Sequence, residues 1–325
     1  MEKIAIVIPL RNAQTTIQKT LESLTRQTAA FEELVIINDA SSDNSGLVVD
    51  NFLKANGEWL SEKGINLKII KHEKSQGLAA SYNDGILNSS SSLIVTLHSD
   101  IILEKDSLKK LVAPLSKEDS SDVVAAYHSV IHPYEIWEKY NFWQKCFFSR
   151  LEEKKFWGLD GKFDCFRRTA LEKVGNFDDK KFKNAGEDGD IIFKLKKIGK
   201  IVKTDAEIIH LHSMDPNFGI KNIIEKQKQY SESQGILLRM GEIHEIASLP
   251  KIFFREILVV MLLVPYVNLI SAILIIIYSF YYTKLVYLKE WKNLRVLILP
   301  FLNIFLLFVS LFYSIKGFIY GKQKN

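Results

Sequence analysis

Residues Glu33–Asp43 read ELVIINDASSD. The run is apolar through Ile37 and turns polar at Asn38 and Asp39. A short apolar run bounded by turn residues is a buried strand. The pattern recurs on both sides. Lys3–Pro9 (KIAIVIP) precedes Asn12, Asn66–Lys71 (NLKIIK) is a third run, and Ser92–Leu97 (SLIVTL) is a fourth that ends in His98-Ser99-Asp100. Between them, Thr15–Gln27 carries Ile17, Leu21 and Leu24 at helical spacing. Gly46–Asn56 reads as a second helix, and Gln76–Asn88 opens on a glycine turn and continues as a third. Strands alternating with helices at this spacing give βαβ units and a mostly parallel, Rossmann-like sheet, so the fold class is α/β.

In such a sheet, ligands bind outside the carboxyl ends of the strands. Asn12, Asp39 and Asp100 each follow a strand end, so three separate segments aim polar groups at one crevice. A single Asp after a strand is ordinarily a helix cap, and the fold by itself names no activity. The series of three is what points to a site.

The chain has 325 residues, room for about two domains. Its 47% hydrophobic and 25% charged residues are globular values. The net charge of +5 is mild, and with no reader motif it argues against nucleic acid as a partner. Two cysteines, Cys146 and Cys165, form neither a disulfide framework nor a zinc spacing, which fits a reducing compartment. Met1–Pro9 passes directly into a strand-like run, so no signal peptide is expected.

Composition changes near Pro250. Residues 257–282 and 296–315 carry no charge, and each is long enough for the roughly 20-residue span of a bilayer. They predict two transmembrane helices joined by Thr283–Arg295, with Tyr278, Tyr281, Tyr282 and Trp291 suited to the interface. Pro265 and Asn268 leave open a broken, re-entrant first segment. The expected division is 1–215 for the α/β domain, in halves of about 1–103 and 104–215, then a helical connector over 216–250 and a membrane domain over 251–325. Pro133–Phe156 is rich in aromatics. The spacing of Trp137, Tyr140 and Gln144 predicts a one-sided helix, whose aromatics are read as packing and meeting the membrane interface in preference to stacking on sugar rings.

Six strings stand in a telling order: Val7–Asn12 (VIPLRN), Asn38–Asp43 (NDASSD), Gln76–Ile86 (QGLAASYNDGI), Leu97–Asp100 (LHSD), Gly175–Asp178 (GNFD) and Gly186–Asp190 (GEDGD). Together they resemble a family 2 glycosyltransferase of the nucleotide-diphospho-sugar, or GT-A, fold, over about residues 1–240, in a membrane-attached form with a C-terminal transmembrane hairpin. The resemblance implies transfer of a sugar from a nucleotide-diphosphate donor (a UDP-, GDP- or dTDP-sugar) to a hydroxyl acceptor, lipid-linked or a growing surface glycan. It implies Pro9, Asn12, Asp39, Gly77, Asn83 and Ser99 around the donor, with Asp39 toward the nucleotide. It places the base at Asp188, with Glu187 and Gly161 on the acceptor side.

The chemistry asks for such groups. Negative charge grows on a diphosphate leaving group, and a divalent cation neutralises it. Mg2+ or Mn2+ takes oxygen ligands, so Asp100 is the candidate ligand, and the resemblance adds His210 or His212. Direct attack on C1 inverts the anomeric centre. Asp190–Ile198 reads as an amphipathic helix whose N-terminus carries the acidic run. Lys200–Thr204 reads as a strand, with His210 and His212 beyond it on one face of an extended segment, Ile208–Ser213. In Lys221–Arg239, a predicted helix, Lys226, Lys228 and Arg239 face phosphate, anionic lipid or solvent.

Four positions depart from the pattern: Asn38, Ala40, His98 where the first Asp of the metal motif often stands, and Tyr82 where an Arg is frequent. The expected location is the cell membrane, multi-pass, with the catalytic domain facing the cytoplasm, where soluble nucleotide sugars are made. Two alternatives stay open: a polyprenyl-phosphate sugar synthase, and a non-catalytic nucleotide-sugar-binding membrane scaffold.

Overall fold

The computed structural model describes residues 2–117, 120–183, 185–212, 217–243 and 248–323. Ser213 and residues 216 and 244–247, which belong to the expected extended segment and connector, lie outside them. The chain divides into two compact units, Met1–Pro133 with Glu153–Met214, and Tyr134–Glu152 with Asp215–Asn325.

In order, the first unit begins β1 (Ile4–Leu10), α1 (Ile17–Thr25), β2 (Glu33–Asn38), α2 (Ser45–Ala55), α3 (Gly57–Glu62), β3 (Asn66–Lys71), α4 (Leu78–Leu87), β4 (Leu93–Leu97), β5 (Ile101–Leu103), α5 (Ser107–Val112) and β6 (Val123–Ile131). The second unit's first segment holds α6 (Tyr134–Glu138) and α7 (Phe142–Phe148). The first unit then resumes with β7 (Lys155–Trp157), β8 (Phe163–Arg167), α8 (Arg168–Lys173), α9 (Glu187–Lys196) and β9 (Lys200–His210). The rest of the second unit is α10 (Ile220–Arg239), α11 (Leu249–Ile252), α12 (Phe254–Met261), α13 (Asn268–Tyr281), α14 (Lys284–Lys289), a 3-10 turn over Leu294–Ile298, and α15 (Leu299–Tyr320).

Among the described residues nine strands form one sheet in the order β3-β2-β1-β4-β8-β6-β9-β5, with β7 paired to β6. β3, β2, β1 and β4 run parallel, and β8 is antiparallel to β4. Side chains alternate across β1, and both faces are buried. Ile4, Ile6, Ile8 and Leu10 pack with Ile17, Leu21 and Leu24 of α1. Ala5 and Val7 pack on the other face with Ala79, Tyr82 and Ile86 of α4 and Ile191 and Leu195 of α9. The chain builds from β1 outward to β2 and β3, then returns to place β4 on the opposite side of β1. That reversal opens a crevice at the carboxyl ends of β1 and β4.

Two predicted elements are longer than their sequence signal. β9 runs to His210, not Thr204, because it is held on one side by β6 and on the other by β5, where Ile101 faces His210. The helix expected from Asp190 starts at Glu187, after Gly186 at a φ of 96°.

The second unit corrects three expectations. The segment 104–215 is not one body, because α6 and α7 belong with the C-terminal helices. Phe147, Trp143 and Phe148 pack there on Ile223, Leu302 and Leu306. The aromatic segment is two short helices, broken where Asn141 caps the second by accepting from the Gln144 N–H. The run 257–282 is not a continuous span. It is α12 and α13 with a turn at Pro265 and Tyr266, the latter at a φ of 68°. A proline inside a helix removes a donor and clashes with the preceding turn.

Among the described residues one helix is long and apolar enough to cross a membrane, Leu294–Tyr320 with α15 as its regular part. Its 22 residues span about 33 Å. Leu299, Leu302, Leu306 and Leu307 are buried while Phe301, Phe305, Phe308 and Phe312 are exposed. α15 lies so close to α10 that a Cβ on Gly317 would stand 2.0 Å from the Glu232 carbonyl oxygen, and one on Gly235 2.0 Å from that of Ser314. Small residues at such a seam let apolar helices meet, and polar ones hold it. Gln227, Ser231 and Ser310 are hydrogen-bonded across it. Arg239 is spent here too, donating to the carbonyls of Phe318 and Ile319, and Lys228 pairs with Glu225 at 2.7 Å.

Candidate active site

Pro9, Arg11, Asp39, Leu78, Ser81, His98, Ser99 and Asp100 line a cavity of about 180 Å³ at the crevice between β1 and β4. The residues come from the ends of β1, β2 and β4 and the start of α4, as the topology requires.

On one wall, Asp39 is fully occupied. Oδ1 accepts from the Gln76 N–H at 2.7 Å and lies 2.8 Å from His72 Nδ1. Oδ2 accepts from Ser75 Oγ at 2.8 Å and the Gly77 N–H at 3.0 Å. A carboxylate has about four acceptor positions, so the protein fills them all. Burial works to raise the Asp39 pKa, but His72, Gln76, Ser75 and Gly77 outweigh it and hold it below the ordinary value. His72 also reaches Asp84 through Nε2, at 2.8 Å, and Arg11 donates to Ser75 Oγ at 2.6 Å. Gly77 serves this loop twice. Its φ is 99°, and a Cβ would stand 2.3 Å from the Lys183 carbonyl oxygen.

Asn12 and Asn83 are likewise spent on structure. Asn12 Oδ1 accepts from the Ser42 N–H at 2.9 Å, joining the loops after β1 and β2. Asn83 exchanges hydrogen bonds with the Phe177 backbone, at 2.9 and 3.1 Å. Neither lines the cavity, whereas Pro9, Asp39, Ser99 and Asp100 do.

Tyr82 does not stand in for a cation. It is wholly buried, and its hydroxyl donates to the Gly161 carbonyl at 2.9 Å and sits 2.7 Å from His98 Nε2. A tyrosine has one hydroxyl hydrogen. With it given to Gly161, His98 Nε2 supplies its own, and the Nδ1 lone pair stays available. Burial pushes the His98 pKa down to about 4, so the ring is neutral at pH 7.

The opposite wall holds Asp100. Its Oδ2 lies 3.1 Å from His210 Nε2. His210 and His212 are in ring contact, centroids 3.7 Å apart. His212 sits beyond the end of β9 at a φ of 51°, so the left-handed backbone, not strand alternation, sets its direction. His132, just past β6, stacks on His212 with centroids 5.1 Å apart. Burial works to raise the Asp100 pKa, but the imidazoles of His210, His98 and His212 hold it well below the carboxylate range. Asp100 Oδ1, both ring nitrogens of His132 and His210 Nδ1 are buried with no hydrogen-bond partner among the described residues. Orphaned buried polar atoms are costly. Here they form an oxygen-and-nitrogen set that fits a divalent cation.

A third network lies on the loop before β8. Asp164 accepts from the N–H groups of Asp160 and Gly161, at 2.9 and 2.6 Å, and meets His128 Nδ1 at 3.1 Å. Asp160 pairs with Lys162 at 2.6 Å. Asp188, in the first turn of α9, accepts from the Gly189 N–H at 2.8 Å. Its pKa is raised, first by burial and then by the like charge of Asp160, against the pull of Gly189 and Lys162. Glu187 beside it is buried.

Sequence reasoning passed over Arg11, Lys162, His128 and His132. Arg11 had a signal, since it follows β1 as Asn12 does. His132 had none, because a lone histidine after a strand has no partner until the sheet folds.

The family model Glycosyl transferase family 2 matches residues 5–175. Glycosyltransferase GlyA of Streptococcus pneumoniae is 29% identical over 39% of this chain and 17% of its own length. Probable glycosyltransferase YdaM of Bacillus subtilis is 24% identical over 61% of the chain and 48% of its own. The chain therefore spans less than half of these relatives. Among solved structures, the mannosyltransferase PcManGT of Pyrobaculum calidifontis in complex with GDP-Man and Mn2+ superposes with a TM-score of 0.60 at 14% identity, over 99% of this chain and 88% of that one. At that identity the likeness is one of fold, and the fold is GT-A-like.

Proposed function

The chain belongs to glycosyl transferase family 2, and on that premise we propose that it transfers a sugar, with inversion, from a nucleotide-diphosphate donor to a hydroxyl of a lipid-linked or surface-glycan acceptor. The observation that carries the reading is the position of Asp100: at the topological switch point, on a cavity wall, with an unmatched oxygen beside buried imidazoles. Mg2+ or Mn2+ held by Asp100 with His210 or His212 would neutralise the charge that grows on the departing diphosphate. PcManGT, of like fold, is solved with GDP-Man and Mn2+, which supports a sugar nucleotide and a cation in this crevice.

Asp188 is the base in this reading. It takes the proton of the acceptor hydroxyl as that oxygen attacks C1, and the C1–O bond to the diphosphate breaks. A raised pKa makes a carboxylate a stronger base than an ordinary Asp. Arg11 supplies positive charge on the Asp39 wall. Asp39 holds the loop 75–77 in place, and contact with the nucleotide base falls to the backbone it organises.

The membrane enters through the second unit. α12, α13 and α15 expose Ile257, Val260, Ile273, Ile277, Phe305 and Phe312, an apolar surface that a lipid phase covers. A lipid-linked acceptor would then share that phase with the enzyme, which supplies proximity.

The test is transfer by the full chain. With nucleotide sugars screened against lipid-linked and water-soluble acceptors, turnover should favour the lipid-linked acceptor and fall about 1000-fold in Asp188→Asn. Turnover left intact by Asp188→Asn would favour transfer to a lipid phosphate, which needs no base. No turnover or donor hydrolysis with any sugar nucleotide would leave only a binding protein.

A further inference from the structure

The histidines beside Asp100 point to the kind of cation. This inference rests on the transferase reading and goes beyond it. We propose that His132, His210 and His212 form, with Asp100, a nitrogen-rich centre that takes a transition-metal ion in preference to Mg2+, with His132 as a ligand.

One ring nitrogen from each of the three histidines lies within 4.8 Å of the others, and all three residues are buried. Metal–nitrogen bonds of about 2.1 Å put ligand nitrogens roughly 3.5 Å apart, so the cluster needs to close by only about 1 Å. His132 is the most telling member. It is 8% exposed, and neither ring nitrogen has a hydrogen-bond partner among the described residues. Its ring meets three other rings: His212 at 5.1 Å, His210 at 5.6 Å and Phe156, edge-on, at 5.9 Å. A histidine placed for packing alone would be matched better by an apolar ring, since each unmet nitrogen costs about 1–3 kcal/mol. Asp100 on His210 Nε2 is the carboxylate–histidine pairing that orients a metal-bound imidazole and raises its basicity. The other wall, by contrast, offers no unmatched acceptor on Asp39.

The donor set fixes the selectivity. Imidazole nitrogen suits Zn2+, Fe2+, Co2+, Ni2+ and Cu2+, and is accepted more weakly by Mn2+. Mg2+ prefers oxygen and keeps its waters. One carboxylate among three imidazoles is a poor shell for Mg2+. Of the two cations expected from the sequence, Mn2+ therefore fits and Mg2+ does not.

The probe is the metal alone. The full chain, stripped by a chelator and exchanged into metal-free buffer, is titrated with Co2+, followed by visible absorption, and with Mg2+ in competition. The expected result is ligand-field bands of nitrogen-coordinated cobalt, Co2+ bound more than about 100-fold tighter than Mg2+, and about 10–100-fold weaker Co2+ binding in His132→Gln. Circular dichroism checks that the variant is folded, and His132→Phe, which keeps the ring volume, serves if it is not. Equal affinity for Mg2+ and Co2+, or a Co2+ spectrum and affinity unchanged in a folded His132 variant, would overturn the proposal. Loss of the site with sugar transfer intact would remove only this centre. Cobalt binding intact with no transfer to any acceptor would remove the transferase reading and leave the centre.

Discussion

Two aspartates face one cavity, and their surroundings differ in kind. Asp39 has every acceptor position filled by His72, Ser75, Gln76 and Gly77. Asp100 has one oxygen on His210 and the other on nothing among the described residues. Both come after strand ends and look alike in the sequence. The first is part of the scaffold, a clamp on the loop that opens α4. The second keeps an oxygen with no hydrogen-bond partner among the described residues, which is why the proposed cation is placed there. Distance to the cavity does not separate fold-holding from chemistry-bearing groups; the count of unmatched donors and acceptors does.

Substitution breaks or sharpens the contrast. Asp100→Asn keeps shape and the His210 contact while removing the charge. Transfer should fall about 1000-fold, the order of losing a key transition-state charge contact, with the melting temperature moved by less than about 3 °C. A large loss of stability with activity kept would make Asp100 scaffold after all. Asp39→Ala should act first on stability. Three or four donors lose their acceptor, at about 3 kcal/mol in total, which lowers Tm by about 6–12 °C for a domain of this size, read by calorimetry. Its acid limb has a definite sign. The folded pKa is depressed, so the stability from Asp39 is present above the unfolded value and lost as pH falls through the folded one; Asp39→Ala should lack that acid loss.

The pH–rate profile sharpens the Asp188 role. With its pKa raised, kcat/KM should climb with pH through a midpoint above the usual Asp value of about 3.9, and a midpoint at or below that value would break the base assignment. Tyr82→Phe is expected to have the smallest effect. It leaves the Gly161 carbonyl and the His98 N–H unmatched, at about 1–2 kcal/mol. It should lower Tm by about 3–6 °C and change kcat only through the orientation of His98.

Much of the first unit was legible before folding. β2 and β3 match the runs ELVIIN and NLKIIK residue for residue: β2, paired on both sides, reads as an apolar run, and β3, at the sheet edge, as a short mixed run between turn residues. β5 was not legible, since three residues carry no period, yet it pins His210 beside Asp100. The Asp39 clamp was half-legible. The Asp after the strand could be read, but its partners arrive from the loop after β3 through tertiary contact alone. Charge-free composition marked the apolar helical stretches 257–282 and 296–315. It did not report continuity, and the turn at Pro265 and Tyr266 divides the first run. Tyr82 looked like a missing cation, and its tie to His98 and Gly161 depends on a strand and a loop far apart in the chain.

The central claim is that the crevice between β1 and β4 binds a sugar nucleotide through a cation held at Asp100. The most direct measurement is thermal stabilisation of the full chain by a panel of UDP-, GDP- and dTDP-sugars with Mn2+, repeated with EDTA and in Asp100→Asn. At about 100 times its dissociation constant the right donor should add about 2.7 kcal/mol, seen as a rise of several degrees that disappears with EDTA and in the variant. A rise that survives both, or no rise with any donor, would contradict it.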